Sequence, residues 1–295
     1  MTTSDRPKPR LTVPELARKK AAGERLSMVA IADFMTATWA QRAGIDIVGV
    51  GDSLGMTMYG HENTLEITVD QMIQHTKAVR RGAPDTFCIT AMPYGSYATE
   101  EIAVVNALRI MKESGTDAVK LQGGREKFGI LKAVADAGVP VMGHVGLIPH
   151  QVHRMGGFKT QGRTATDAER IVDNARGIEA AGGIGLEIEA VPYKVGKAVD
   201  EAVSIFTFSI GAGSAGTCQL LNGYDLIGAF DTFRPKFAKR YGNVNEVAVE
   251  AMTTFVAEVA AGAFPDDDHT YRMKTDELAA FTAAASASNN AKEQP

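Results

Sequence analysis

The chain has 295 residues, 45% of them hydrophobic and 22% charged, with a formal net charge of −4. Such a mixture suits a globular protein with a sizeable core and excludes a disordered or fibrous chain. The two signs of charge are interspersed without a basic stripe, which argues against a nucleic-acid partner, and no run approaches the roughly 18 apolar residues of a membrane span.

The N-terminal segment carries Asp5, Arg6, Lys8 and Arg10 but no apolar stretch with a small-residue cleavage site, so the expected setting is cytoplasmic. Cys88 and Cys218 lie far apart without metal-ligand spacing, which reads as two reduced thiols with no assigned role.

Residues 1–25 form an N-terminal arm. From there, short β-branched runs alternate with helical patterns of roughly 10 to 15 residues, the pattern of parallel strands joined by crossover helices. The predicted strands are 26–32, 46–50, 86–90, 117–121, 140–144, 184–190, 204–210 and 219–221. Eight such units make a (β/α)₈ TIM barrel, an α/β fold, as one catalytic domain over 26–271.

Gly44, Gly115, Gly138 and Gly182 each follow a helical run, where glycine permits the left-handed turn that stops a helix before the next strand. Ile102, Val105, Ala107, Leu108 and Met111 recur at helical spacing, which predicts a stripe laid against the barrel wall. The Gly-rich run 156–163, with Lys159 and Arg163, sits after the fifth strand, where either a closing lid or a plain surface loop belongs. Residues 272–295 read as a peripheral or disordered tail, without an apolar period from about Phe281 onward.

Polar residues follow the apolar runs at their carboxyl ends: Asp33, Asp52 with Ser53, Lys120 with Gln122, His144 and Glu189. Active sites of such barrels form at that rim. Singly, each has a plain structural explanation, such as a helix cap or a hydrogen-bonded histidine. Together they supply an anchor for a metal or dipole, a cation for a carboxylate, a donor for a carbonyl oxygen and a proton acceptor.

The wording around these residues is more specific. Val50-Gly51-Asp52-Ser53-Leu54-Gly55-Met56, Met92-Pro93-Tyr94-Gly95-Ser96-Tyr97 and Ala118-Val119-Lys120-Leu121 resemble ketopantoate hydroxymethyltransferase. So do Pro140-Val141-Met142-Gly143-His144-Val145-Gly146-Leu147, Gly156-Gly157-Phe158-Lys159, Glu189-Ala190-Val191-Pro192 and Pro235-Lys236-Phe237. The resemblance runs over about residues 26–271, too long for chance motifs.

It implies a barrel of the phosphoenolpyruvate and 2-keto-acid lyase-mutase type that transfers a hydroxymethyl group from 5,10-methylenetetrahydrofolate, the co-substrate, to 3-methyl-2-oxobutanoate, giving ketopantoate for pantothenate synthesis. It further implies Mg²⁺ and a homo-oligomeric ring, often a decamer. By similarity Asp52 holds the metal, Ser53, Lys120 and Gln122 the keto acid, and His144 the enolate oxygen, while Glu189 is the base.

This chain departs from that pattern at several positions. Ala91 stands where the family has a second metal-binding Asp, and Gln122 where it has an acidic residue, so the attraction for a hard dication is weakened. Ala32 replaces a tyrosine, and Thr217-Cys218 an Asp-Gly. Glu187 stands where an apolar residue is usual, two residues from Glu189 and thus on the same strand face, one layer deeper. It either pairs with Lys120, helps recruit a cation, or, on a shifted strand, is solvated. Two further readings stand beside the transferase: a paralogue running an aldol or retro-aldol step on another 2-keto acid, and a non-catalytic metabolite-binding barrel.

Overall fold

The computed structural model describes residues 10–290, with side chains through residue 285; Asp5, Arg6 and Lys8 lie outside this range. Eight strands run in chain order: β1 (Leu26–Ala30), β2 (Ile47–Val50), β3 (Phe87–Ala91), β4 (Ala118–Lys120), β5 (Val141–Gly146), β6 (Gly185–Glu189), β7 (Phe206–Ile210) and β8 (Cys218–Asn222). Each pairs in parallel with the next, and β8 returns to β1 to close the barrel. All eight predicted strands are present, with no end shifted by more than two residues.

Strand burial is nearly continuous because one face looks into the barrel and the other meets helices. All six residues of β5 are buried. Outward residues such as Val119, Val141, Val145, Leu186 and Ile188 join the layer between strands and helices. Inward residues at the amino-terminal end, among them Met28, Ile47, Phe87, Met142, Phe206 and Phe208, fill the barrel. Leu16, on the helix Val13–Ala21 of the N-terminal arm, joins that interior cluster and is fully buried.

The helices start and stop where local chemistry dictates. Thr68, Thr99 and Thr164 cap their helices through their hydroxyls, satisfying backbone N–H groups that have no partner in the first turn. Gly44, Gly115, Gly138 and Gly182 all take positive φ at helix ends.

The apolar stripe on the helix Glu100–Ser114 differs from the expectation. Ala103, Ala107, Ile110 and Ser114 are its buried face, while Ile102, Val105 and Leu108 are exposed. The spacing of 103, 107, 110 and 114 marks one face as clearly as the bulkier set does, and small residues there let the helix approach closely.

Residues 10–243 belong to one compact unit, and the chain from Val244 onward groups separately. The second unit contains the helices Val244–Ala260 and Thr275–Asn290. The tail is therefore helical through 290, and its lack of an apolar period appears as exposure of every described side chain. No described helix is long and apolar enough to cross a membrane.

Candidate active site

Side-chain parity along the strands places the chemistry. On β4 Ala118 and Lys120 point inward, on β5 Met142 and His144, and on β6 Gly185, Glu187 and Glu189, since residues two apart share a face. In each case the amino-terminal residue is small or apolar and the carboxyl-terminal one is polar. The register sets His144 beside Glu187 and Gly146 beside Glu189. Asp52 and Ser53 follow directly after β2. All six polar residues line one cavity of about 630 Å³ at the carboxyl end of the barrel.

The Lys120 ammonium pairs with the Glu187 carboxylate. His144, almost fully buried, places Nε2 3.0 Å from Glu189 Oε2 and Nδ1 4.0 Å from Glu187 Oε2. Neither contact is aligned as a regular hydrogen bond, and His144 lies between two carboxylates, close to that of Glu189.

Burial acts on every charge here, and the neighbours decide the outcome. Burial penalises the charged forms of Glu187 and Lys120, but their mutual attraction holds Glu187 below and Lys120 above their ordinary ranges. For Glu189, burial dominates, the Glu187 charge adds to it, and the carboxyl is raised despite His144 and Lys120. Burial likewise opposes ionisation of Asp52, yet His150, Lys120 and His144 together hold its carboxyl low. One site thus contains carboxylates pushed in opposite directions, as acid-base chemistry requires.

His150 was not singled out from the sequence. It lies in the short turn Pro149–Gln151 beyond β5, and its Nε2–H donates to Asp52 Oδ2. The Tyr97 hydroxyl meets His150 Nδ1, and burial together with the Asp52 charge keeps that hydroxyl protonated. Its signal was its place six residues beyond His144 at the same rim, past the first polar residue of the strand end.

Gln122 donates from Nε2 to Asp52 Oδ2 at 3.4 Å and accepts from the His150 backbone N–H at 3.1 Å. Its polar atoms therefore serve Asp52 and His150, although Gln122 also lines the cavity.

Two other expectations resolve differently. Asp33 accepts from Thr36 N at 2.8 Å and from the Tyr224 hydroxyl at 2.7 Å; it is a helix cap and does not line the cavity, whereas Asn222, which ends β8, does. In the Gly-rich loop Lys159 lines the cavity beside Phe158 and Thr160, whereas Arg163 is exposed and does not. The segment 230–237, also unforeseen as a site element, contributes Phe230, Phe233, Lys236 and Phe237 to the outer wall.

A metal site can be tested against these residues. His144, Glu187 and Glu189 offer donor atoms within 4.8 Å of one another, a set that could hold a metal ion. Magnesium at Asp52 is another matter, because it demands several hard oxygen ligands. The Ala91 methyl offers none, and Asp52 Oδ2 already accepts from His150 and Gln122. The set around Asp52 does not fit that ion. The other set contains an imidazole, which suits transition metals better, and its Glu187 already carries the Lys120 ammonium.

The barrel belongs to a recognisable class. A 2,3-dimethylmalate lyase of the PEP mutase/isocitrate lyase superfamily matches with a TM-score of 0.58 at 14% identity, over 97% of this chain and 100% of that one. A phosphonopyruvate hydrolase, solved with oxalate and Mg²⁺, matches at 0.56 and 12% over 96% and 99%. At such identities the likeness establishes the fold alone.

Sequence defines the family within that class. The ketopantoate hydroxymethyltransferase profile matches residues 10–267, and the chain belongs to that family. It is 47% identical to 3-methyl-2-oxobutanoate hydroxymethyltransferase 1 of Methylibium petroleiphilum, over 92% of both chains. It is 46% identical to the Geobacillus kaustophilus enzyme over 89% of this chain and 94% of that one.

Proposed function

We propose that this protein transfers a hydroxymethyl group from 5,10-methylenetetrahydrofolate to 3-methyl-2-oxobutanoate, forming ketopantoate for pantothenate synthesis. The observation that carries this reading is that a largely shielded cation, Lys120, and a carboxyl placed to act as base, Glu189, line one cavity, within a chain 47% identical to a relative named for that reaction.

Lys120 and Ser53 receive the keto-acid carboxylate and oxo group. Glu189, raised by burial, takes the proton from the third carbon. The C–H electron pair becomes the C2=C3 bond, and the carbonyl pair moves onto oxygen, where the ammonium meets the new charge. His144, beside Glu189, lines the same region. Water hydrolyses the methylene bridge of the carrier, both C–N bonds breaking to give formaldehyde and tetrahydrofolate; the enolate carbon bonds to the formaldehyde carbon, whose C=O pair takes up a proton and becomes the new hydroxyl. A cavity of about 630 Å³ exceeds what a five-carbon acid fills, and the aromatic wall of Phe158, Phe230, Phe233 and Phe237 suits a flat heterocyclic carrier.

The divalent magnesium of the family reading has no counterpart in the residues around Asp52, so no step is assigned to it. The reading also carries a cytoplasmic setting and assembly of several copies. Val247, Met252, Phe255 and Val256, all exposed on one helix, are apolar surface of the kind that a neighbouring subunit covers.

A second reading, an aldol or retro-aldol step on another 2-keto acid, is favoured by Ala91, whose small side chain enlarges the pocket where the family has a carboxylate. Mass spectrometry of the product from 3-methyl-2-oxobutanoate and 5,10-methylenetetrahydrofolate tests the first reading. Ketopantoate supports it. Its absence, with turnover of a different 2-keto acid, supports the second, and inertness toward every keto acid leaves a binding protein.

A further inference from the structure

Resting on the keto-acid reading above, we propose that this chain enolises its substrate without a divalent ion, the hydrogen-bonded chain Tyr97–His150–Asp52 filling the place beside Asp52 that a metal would take.

Every polar group facing Asp52 Oδ2 is a donor. His150 Nε2–H and Gln122 Nε2–H both point at it, and Ala91, on the cavity wall and beside Lys120 in the β3–β4 register, contributes only a methyl. A carboxylate that carries a metal shares its lone pairs with the ion, and its neighbours are then acceptors that complete the coordination shell. Here the neighbours have the opposite polarity.

The network is closed on itself. The Tyr97 hydroxyl donates to His150 Nδ1 and accepts from the Gln122 backbone N–H at 3.3 Å. The Gln122 side-chain carbonyl accepts from the His150 backbone N–H at 3.1 Å. Asp52, Gln122, His150 and Tyr97 are all buried, and each finds its partner among the others, as buried polar groups must. Inserting a dication would break the bonds from His150 and Gln122 to Asp52 and leave those N–H groups facing a cation. A methyl at 91, an amide at 122 and an imidazole at 150 thus act together: they suit a carboxylate that is hydrogen-bonded, and each opposes one that is metal-bound.

The electrophile for the carbonyl is then Lys120, the cation on the cavity floor. The proton leaves the third carbon for Glu189, the bonding pair enters the C2=C3 bond, and oxygen takes the carbonyl pair beside the ammonium; no other reactant is required. His150 touches no substrate in this scheme and is a positioning residue, holding Asp52 in charge and orientation.

The experiment uses the intact protein freed of metal by EDTA and desalting. Deuterium exchange at the third carbon of 3-methyl-2-oxobutanoate is followed by NMR in heavy water, with and without added Mg²⁺ or Mn²⁺, and Mn²⁺ binding is read separately by electron paramagnetic resonance. Expected are the same exchange rate in EDTA as with either ion, and no bound Mn²⁺. Exchange that needs an ion, or Mn²⁺ binding by the native chain, overturns the proposal. Loss of that binding in Glu187→Gln but not in Asp52→Asn would place the ion at the His144 cluster instead.

In the triple variant Ala91→Asp, Gln122→Glu, His150→Gln, Mn²⁺ binding should appear and exchange should become ion-dependent. Exchange that is absent under every condition removes the keto-acid reading itself, a result distinct from ion-dependent exchange. The Mn²⁺ measurement on the native chain needs neither turnover nor a folded variant.

Discussion

Lys120 on β4 and Glu187 on β6 form an ion pair beneath the substrate cavity, with both side chains largely shielded from water. Each carries a charge that burial alone would suppress, and each holds the other ionised.

Removing one partner strands the other charge. Glu187→Gln should destabilise the fold by about 3–5 kcal/mol, read as a lower urea midpoint at unchanged slope. The pH dependence follows from the shifts. Glu187 is held below its ordinary 4.5, so its contribution is present above that value and disappears as pH falls through the folded-state value. Lys120 is held above 10.5, so its contribution is present below that value and disappears as pH rises through the folded-state value. The stability gap between wild type and variant should be flat between these limits and narrow under acid; a gap independent of pH in acid would show that the pair does not control it.

Glu189 behaves in the opposite sense. Its carboxyl is raised above 4.5 by burial and by Glu187, so the folded state binds that proton more tightly than the unfolded chain. Its contribution favours folding below pH 4.5 and declines as pH rises through the folded value. In the proposed reaction Glu189 takes the proton and must be ionised, so the rate of exchange at the third carbon should rise with pH through an inflection above 4.5. Glu189→Gln should lower exchange by roughly 10²–10⁴-fold and abolish the inflection. An unchanged profile in the variant would remove Glu189 from the reaction.

Gly146 closes β5 with φ +94°, and a Cβ there would lie 2.1 Å from the Glu189 carbonyl oxygen. Backbone cannot yield as a flexible side chain does. Gly146→Ala should therefore cost about 1–3 kcal/mol by overpacking and displace the strand that carries the base. The thermal midpoint and the exchange rate should fall together, and retention of full exchange would show that Glu189 tolerates the shift.

Asp33 provides the contrast. As a helix cap bonded to Thr36 and Tyr224, it contributes to stability and stands outside the cavity. Asp33→Ala should lose about 1–2 kcal/mol in denaturant titration while keeping the exchange rate per folded molecule. A large loss of that rate would place Asp33 in the site after all.

Sequence by itself determined the alternation of eight strands with helices and the polar residues at the strand ends. These follow from spacing within a segment: strand parity sends Lys120, His144, Glu187 and Glu189 inward, and glycine ends the intervening helices. Likeness of motif over 240 or so residues then named the family, as the match over residues 10–267 bears out.

Tertiary structure alone decided which groups meet. The Lys120–Glu187 pair spans 67 residues and the His150–Asp52 pair 98, so neither is encoded in any local period. Asp33 divides between the two: its cap on Thr36 is local, whereas the Tyr224 hydroxyl that engages its other oxygen lies 191 residues away. Closing the barrel brings distant strand ends within reach, and only then does an aspartate's partner, and with it the chemistry open to that carboxylate, become defined.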